Sequence, residues 1–167
     1  GARKGGGDVL SFIDCDCLIP PDYFCSLLAV FARPDLDATG CRVDYPDDGP
    51  WVERVWNEMH RAGDEDGFRA YLNSGNLAVR RSAFEAIQGF DESVVTGEDA
   101  DFGQRLRANG FCIWQSRSLA VLHLDNPRTI RAFFRKEVWH GLGMFATARR
   151  WPPDRPTAMT ALHLSSI

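Results

Sequence analysis

The sequence predicts an α/β fold in which helices flank a mixed β-sheet. Short apolar runs of strand length alternate with longer stretches whose apolar residues recur at helical spacing. Glycine and proline mark several of the boundaries between these segments. The chain has 167 residues, 44% of them hydrophobic, which is enough for one core of ordinary domain size. We therefore expect one domain over residues 1–148, with 149–167 as a proline-containing tail or linker.

The predicted strands are short, mainly apolar runs that end in polar or turn-forming residues. The first, Val9–Ile13, is followed directly by Asp14, and the last ends in His123. Runs of this length suit strands buried between layers of helices. The five predicted strands are Val9–Ile13, 38–43, 76–79, 111–114 and 119–123.

The predicted helices are recognised by their boundaries and by their periodicity. The first begins at Pro21, because proline suits the first turn, and the fourth stops before Gly110, a common C-terminal residue. In the second, Val52, Val55 and Trp56 recur at helical spacing. The five predicted helices are 21–31, 51–61, 82–87, 96–109 and 128–142.

Charge and hydropathy exclude two classes of function. The net charge is −4 and the sequence pI is about 5.5, with basic residues scattered among acids. No basic stripe of the kind that binds nucleic acid is present, so we predict no nucleic-acid partner. No apolar run approaches the roughly 20 residues that cross a bilayer, so a membrane-spanning helix is not predicted.

The five cysteines indicate the redox environment. Their number is odd and most lie within apolar stretches, which favours buried free thiols in a reducing compartment. Cys15 and Cys17 are followed by no second pair at zinc-site spacing, so a structural zinc is not predicted. We predict a cytoplasmic protein, and attachment to the cytoplasmic face of a membrane stays open.

Asp14-Cys15-Asp16 follows the first strand, at the sheet edge where α/β proteins bind ligands. Two interpretations are open for these carboxylates. Aspartate is common after strands because it favours turns and caps helices. Alternatively, one carboxylate binds Mg²⁺ or Mn²⁺ and the other meets a ligand hydroxyl or a water, since hard cations prefer oxygen. Strand-like alternation would place Asp14 and Asp16 on one face.

A second acidic cluster, Gly97-Glu98-Asp99-Ala100-Asp101, opens the fourth predicted helix. Thr96 and Asp99 have the spacing of a capping box, and acids in a first turn favour the helix dipole. One acid would suffice for that purpose. Three acids in four residues repel one another, and such crowding suits a base or a hydroxyl-binding site better than a cap.

His123 ends an apolar strand, where histidine is most often a core or edge residue. Its position gives it a second interpretation. If the strand 119–123 lies beside Val9–Ile13, the imidazole and Asp16 come close enough to share one ion.

Four motifs follow one another along the chain: Phe12-Ile13-Asp14-Cys15-Asp16, Gly75-Asn76-Leu77-Ala78-Val79-Arg80-Arg81, Gly89-Phe90-Asp91-Glu92 and Gly97-Glu98-Asp99-Ala100-Asp101-Phe102-Gly103-Gln104-Arg105-Leu106. In this order and spacing they resemble the family 2 glycosyltransferases of the GT-A fold. The resemblance covers residues 5–143, most of the chain. It implies a Rossmann-like mixed sheet, a divalent cation (Mn²⁺ or Mg²⁺), and transfer of a sugar from a nucleotide-diphosphate donor to an acceptor hydroxyl with inversion.

The resemblance also implies a role for each site residue. Asp14 would face the ribose or sugar of the donor, Asp16 would bind the metal on the diphosphate, and His123 would be a second metal ligand. Asp99 would be the general base on the acceptor, with Glu98 beside it. We expect Asp99 to be ionised at neutral pH because the helix N-terminus favours its charge. Asn76 either binds the donor sugar or orders the end of its strand.

The chain departs from the family pattern at its start. Members begin with a strand, a loop and a helix that bind the nucleotide base, whereas only seven residues precede Asp8 here. We therefore expect a GT-A domain truncated at its N-terminus, with an open sheet edge that invites self-association. The acceptor class, a saccharide, a lipid or another hydroxyl compound, is left open.

Two alternatives to an active transferase remain at this stage. The chain is either an inactive GT-A remnant that acts as a binding module, or a phosphatase similar to the haloacid dehalogenases, with Asp14 as the nucleophile. The phosphatase is the weaker alternative. Cys17 and Leu18 stand where small residues or threonine are usual, and the chain offers no convincing partner lysine.

Overall fold

The structure, a computed structural model, describes residues 2–41, 43–46, 48–60 and 65–150. Short 3₁₀ turns occupy Ala2–Lys4 and Arg117–Leu119. The strands are β1 Val9–Ile13, β2 Cys17–Leu18, β3 Ala38–Gly40, β4 Val43–Asp44, β5 Gly67–Phe68, β6 Asn76–Arg80, β7 Ile113–Gln115 and β8 Val121–His123. The helices are α1 Tyr23–Phe31, α2 Trp51–His60, α3 Arg81–Ala86, α4 Glu98–Ala108 and α5 Ile130–Arg150.

The strands form two sheets. A five-stranded sheet has the order β1-β6-β3-β7-β5, and a three-stranded sheet has the order β2-β8-β4. Within the large sheet, β3 and β7 run parallel, and the other neighbouring pairs are antiparallel. The predicted α/β class with a mixed sheet is confirmed.

Two apolar clusters cover the faces of the large sheet. Along β6, Leu77 and Val79 belong to one cluster, with α3 and α4, while Ala78 between them belongs to the other. Alternate residues of a strand point to opposite faces, so helices cover this sheet on both sides. Tyr23, Leu27 and Phe31 recur every four residues along α1 and bury one side of that helix in the second cluster.

Several predicted boundaries change in the structure. The run 38–43, predicted as one strand, is divided between β3 of the large sheet and β4 of the small one. The predicted strand 119–123 is a 3₁₀ turn followed by β8. The fifth helix continues to Arg150, beyond its predicted end at 142 and beyond the predicted start of the tail. The rest of the predicted tail, 151–167, lies outside the described residues.

The cysteines are free thiols, but they are not mostly buried as predicted. Only Cys41 is buried, whereas Cys15 and Cys25 are exposed and the other two are intermediate. The correction arises because the apolar stretches around Cys15 and Cys25 form a turn and the outer side of α1. Among the helices that the structure describes, none combines the length and hydropathy needed to cross a membrane.

Candidate active site

The first acidic cluster lies in a tight turn at the end of β1. The amide of Cys17 donates a hydrogen bond to the carbonyl of Asp14 over 3.0 Å, which closes the turn. Asp14 is exposed, and the Asp16 side chain is 31% exposed. The two carboxylates are therefore placed by a turn and not by strand alternation, which corrects that prediction.

The small sheet brings Asp16 and His123 together. Strand β2 pairs antiparallel with β8, with Cys17 opposite His123. The Leu124 amide donates to the Asp16 carbonyl over 3.0 Å, and His123 Nε2 lies 3.4 Å from Asp16 Oδ2. The two side chains thus meet as expected, but through β2 and not through a β1–β8 pair.

Asp16 and His123 can hold a divalent cation. Ligand atoms of Asp16, Cys17 and His123 all lie within 4.8 Å of one another. His123 presents Nε2 to Asp16, while its buried Nδ1 has no hydrogen-bond partner among the described residues. A carboxylate and an imidazole suit Mn²⁺, and the carboxylate suits Mg²⁺.

The thiol of Cys17, the third residue of this group, ionises less readily than an ordinary cysteine. Its burial, reinforced by the negative charges of Asp16 and Asp14, raises its pKa to about 11. Without a bound cation the thiol is therefore protonated at neutral pH. Asp16 and His123 offer oxygen and nitrogen donors, which suit a hard or borderline cation.

The second acidic cluster opens α4, but not through a capping box. The N-cap is Gly97, whose φ of 79° lies in the left-handed region that favours glycine, and no side chain caps the helix. Asp101 is buried, and its Oδ2 accepts a hydrogen bond from Arg105 Nε over 2.7 Å. Of the three acids, Asp101 therefore has a structural role, and Glu98 and Asp99 remain as candidates for a catalytic role.

Burial raises the pKa of Asp99, and the charge of Glu98 raises it further. Hydrogen bonds from backbone amides, including that of Ala100 at 2.7 Å from Oδ1, oppose this rise but do not cancel it. The helix N-terminus is expected to favour the charged form, but the pKa of Asp99 shifts in the opposite direction, and its ionisation at neutral pH stays a prediction. Loss of water around the carboxyl outweighs the backbone hydrogen bonds and makes Asp99 a stronger base once ionised.

Ser74 and Gly75 connect the two acidic clusters. The Asp14 amide donates to the Gly75 carbonyl over 3.2 Å, and a Cβ on Gly75 would lie 2.8 Å from Asp14 Oδ2. The adjacent Ser74 Oγ donates to Glu98 Oε1 over 3.3 Å. Asp14 and Glu98, which are 84 positions apart in the chain, thus contact the adjacent residues Gly75 and Ser74.

Sequence reasoning did not assign this connecting turn a role. The signal was present, because Asn73-Ser74-Gly75-Asn76 is rich in turn-forming residues. Asn73 Oδ1 accepts a hydrogen bond from the Gly75 amide over 2.8 Å, and the Asn76 amide donates to the Asn73 carbonyl over 3.2 Å. Turn chemistry predicts that the chain reverses here, but it does not show which side chains flank the turn.

Tyr71 is a second residue that sequence reasoning missed. Tyr71 is 50% exposed, and the partial loss of water around its phenol, together with the nearby charge of Asp99, raises its pKa. A Cβ on Gly103 of α4 would lie within 2.8 Å of the Tyr71 Cα, so α4 packs directly against this backbone. Tyr71 is therefore a neutral hydroxyl close to Asp99.

Asn76 belongs to the scaffold. Its side chain is fully buried, with Oδ1 accepting from Tyr23 Oη over 2.6 Å and Nδ2 donating to the Leu119 carbonyl over 2.6 Å. These bonds leave its amide turned into the protein. Of the two roles considered for Asn76, donor binding is corrected to ordering of the strand end, because a fully buried amide is out of reach of a donor.

The fold is that of a GT-A-type glycosyltransferase domain. The fold resembles a mannosyltransferase from Pyrobaculum calidifontis, solved in complex with GDP-Man and Mn²⁺, with a TM-score of 0.65 and 19% identity over 97% of this chain and 45% of that one. It also resembles GalNAc-T7, solved with UDP, GalNAc and Mn²⁺, with a TM-score of 0.58 and 16% identity over 80% of this chain and 32% of that one.

The family follows from the sequence match. Residues 9–164 match the family model described as glycosyl transferase family group 2, and the chain belongs to this family. This assignment replaces the phosphatase alternative.

Two characterised relatives align with most of the chain. The O-antigen biosynthesis protein RfbC of Myxococcus xanthus is 25% identical over 90% of this chain and 13% of its own length. The validoxylamine A glucosyltransferase of Streptomyces hygroscopicus subsp. jinggangensis is 27% identical over 79% of this chain and 39% of its own length. The chain thus spans less than half the length of either relative.

Proposed function

We propose that this domain transfers a sugar from a nucleoside-diphosphate donor to an acceptor hydroxyl, with inversion and with a bound divalent cation. One observation carries the proposal. The turn Ser74–Gly75 contacts both acidic clusters, because Gly75 bonds to Asp14 and Ser74 bonds to Glu98 and Asp99. This contact supports a metal-binding group and a base at one site, as a displacement on a diphosphate-activated sugar requires.

Asp16 and His123 would hold the cation, either Mn²⁺ or Mg²⁺. When bound, the cation would neutralise charge on the departing diphosphate. Asp14, on the same turn but exposed, would accept hydrogen bonds from the ribose or sugar hydroxyls of the donor. The complexes of the two structural neighbours with Mn²⁺ and with UDP or GDP-Man support this donor class.

Asp99 would act as the general base. Its carboxylate takes the proton of the acceptor hydroxyl while the hydroxyl oxygen forms a bond to the anomeric carbon. The bond from that carbon to the diphosphate breaks on the opposite face, and the nucleoside diphosphate leaves with the electron pair. A single in-line displacement of this kind inverts the anomeric configuration. Glu98 raises the pKa of Asp99 and so strengthens the base.

The acceptor is a saccharide, a lipid or another hydroxyl compound. The named relatives include an O-antigen biosynthesis protein and a glucosyltransferase, which supports a sugar-transfer role without selecting one acceptor. Acceptor loops vary independently of the fold, so an acceptor screen is needed after donor binding is established.

Calorimetric titration of the chain with UDP and with GDP, with and without Mn²⁺, tests the proposal. We expect Mn²⁺-dependent binding of one nucleotide, lost in Asp16→Ala and weakened about 10–100-fold in His123→Ala, as is typical when support for a metal is removed. Asp35→Ala is the matched control, because Asp35 is exposed and paired with Arg33 instead of lying in the site.

Two results would contradict the proposal. If the folded chain binds neither nucleotide, the alternative of a binding module without transferase activity is favoured. If a nucleotide binds equally well without Mn²⁺ and in Asp16→Ala, the assignment of Asp16 and His123 to a metal site is wrong.

A further inference from the structure

The outer face of α5 carries a continuous apolar stripe. Four large apolar residues recur at intervals of four along this helix, where side chains lie on one face, and a fifth directly follows the third of them. Each is about half exposed or more, which is unusual for five such side chains on a single helix face. They are Ile130 (52% exposed), Phe134 (62%), Val138 (64%), Trp139 (49%) and Leu142 (62%).

The opposite face of α5 is packed against the protein. Phe133 and His140 flank Trp56 of α2, with ring centroids 5.6 Å and 5.7 Å from it. Gly143 lies against the backbone of Thr96, just before α4. The inner face of α5 therefore holds the helix in place, through contacts with α2 and with the residues just before α4.

The charges beside the stripe are positive. Arg131 and Arg135 are exposed on the outer face, each directly after an apolar member of the stripe. The helix contains five basic residues and one acid, Glu137, although the whole chain has a net charge of −4. Glu137 turns inward, since its Oε1 is buried. The outer face thus joins aromatic and aliphatic side chains to arginines and presents no acid.

We propose that this face of α5 binds the surface of an anionic lipid bilayer, with the helix lying in the plane of the interface. Phe134, Val138 and Trp139 would enter the boundary between headgroups and acyl chains, and Arg131 and Arg135 would contact lipid phosphates. This surface does not depend on the proposed transferase chemistry.

A second copy of the chain fits this face less well. In a symmetric pair the same patch lies on both sides of the interface. Arg131 and Arg135 would then meet a surface that also bears arginines and offers no acid in return, which is unfavourable. Anionic lipid supplies both the apolar phase and the negative charge that this face lacks.

Co-sedimentation with vesicles tests the proposal. Vesicles of phosphatidylcholine alone are compared with vesicles that also contain phosphatidylglycerol, and the chain is expected to sediment with the latter at low salt. Arg131→Gln/Arg135→Gln is expected to weaken binding roughly 30-fold, at about 1 kcal/mol for each basic residue near an anionic surface. Phe134→Ser/Val138→Ser is expected to weaken binding by at least about tenfold.

Phe24→Ser/Leu28→Ser is the matched control for loss of exposed apolar surface. These two residues are four apart on α1 and are 54% and 67% exposed, but α1 contains no basic residue. The control is expected to bind vesicles like the wild type, and circular dichroism shows whether each variant is folded.

Three results would overturn the proposal. One is that the folded wild-type chain remains in the supernatant with both kinds of vesicle. Another is that the α1 and α5 variants lose binding equally, which indicates general stickiness. The third is that light scattering shows a dimer abolished by Phe134→Ser/Val138→Ser while vesicle binding is absent, which would make the face a contact between copies.

Discussion

At the scale of single residues, two acids on α4 show how burial assigns different roles to the same side chain. Asp101 is almost fully buried, but its charge is compensated by Arg105 at 2.7 Å. Asp99, two positions earlier, is largely removed from water beside another acid, and its pKa is raised. Asp101 therefore supports the fold, whereas Asp99 keeps a reactive carboxylate at a cost in stability.

Asp99→Asn is expected to stabilise the protein and to abolish efficient transfer. Because the pKa of Asp99 is raised in the folded state above its ordinary 3.8, ionisation favours unfolding. The stability gain of the variant is therefore fully present above the folded-state pKa, shrinks as the pH falls through it, and vanishes below 3.8. Urea unfolding across pH measures this gain.

The transfer rate of Asp99→Asn is expected to fall about 10²–10⁴-fold, the usual loss for a general base, with nucleotide affinity unchanged. Asp101→Asn is the control on the same helix. It should lower stability, on the order of 2 kcal/mol, because it removes the charged acceptor of Arg105. A variant at Asp99 that is less stable than the wild type at neutral pH would show that its carboxylate is structural.

Gly75→Ala is expected to displace Asp14. The added Cβ would lie 2.8 Å from Asp14 Oδ2, so the carboxylate must move from its place on the turn. Loss of a hydrogen bond to a charged group should weaken donor binding by roughly 10–100-fold in calorimetric titration. Gly6→Ala, where a Cβ meets no atom within 4 Å, is the matched control. Equal affinities in the two variants would exclude Asp14 from the donor site.

At the scale of elements, α5 braces the site through its close approach to the start of α4. A Cβ on Gly143 would lie 2.8 Å from the carbonyl carbon of Thr96. Thr96 is two residues before Glu98, so the position of α5 and the position of the acidic cluster are coupled. Glycine permits this approach because it has no side chain.

Gly143→Ala and Gly141→Ala are expected to act in opposite directions. Gly141 faces open space, so alanine there should stabilise the helix by about 0.5–1 kcal/mol. At Gly143 the same change forces backbone apart, which we expect to cost about 1–3 kcal/mol and to reduce transfer. Urea unfolding measures both variants. Stabilisation by both would mean that α5 moves away from Thr96 without cost.

At the scale of the whole molecule, Asn76 joins three parts of the fold. It lies on β6 of the large sheet, accepts a hydrogen bond from Tyr23 of α1, and donates to Leu119 just before β8 of the small sheet. Buried polar groups of this kind are stable only while all their partners are present. The network thus ties the large sheet, α1 and the segment before β8 together through buried hydrogen bonds.

Asn76→Ala is expected to destabilise the protein by roughly 2–6 kcal/mol, because it leaves the Tyr23 hydroxyl and the Leu119 carbonyl unsatisfied at about 1–3 kcal/mol each. Tyr23→Phe should cost about 1–3 kcal/mol, because it leaves Asn76 Oδ1 without its donor. In the double variant the losses should be less than additive, which a double-mutant cycle measures. Unchanged stability of Asn76→Ala together with lost donor binding would instead assign Asn76 to the donor site.

The sequence by itself determined the order of the five helices, the α/β class, the two acidic clusters and the family, but it did not predict the short strands β2 and β5. These features are local: apolar periodicity reports which residues face the core, and motifs in register report chemistry. It did not determine that 38–43 divides between two sheets, because a run of apolar residues does not specify its neighbours.

Only the tertiary structure decided which strands pair, and therefore which side chains meet. The pairing of β2 with β8 brings His123 to Asp16, and the turn at Ser74–Gly75 brings Glu98 towards Asp14. The tertiary structure also decided that the pKa of Asp99 is raised, because burial depends on the elements that surround a side chain and not on its place at a helix start. Contacts between distant segments and the loss of water around them are properties of the folded chain, so local patterns do not contain them.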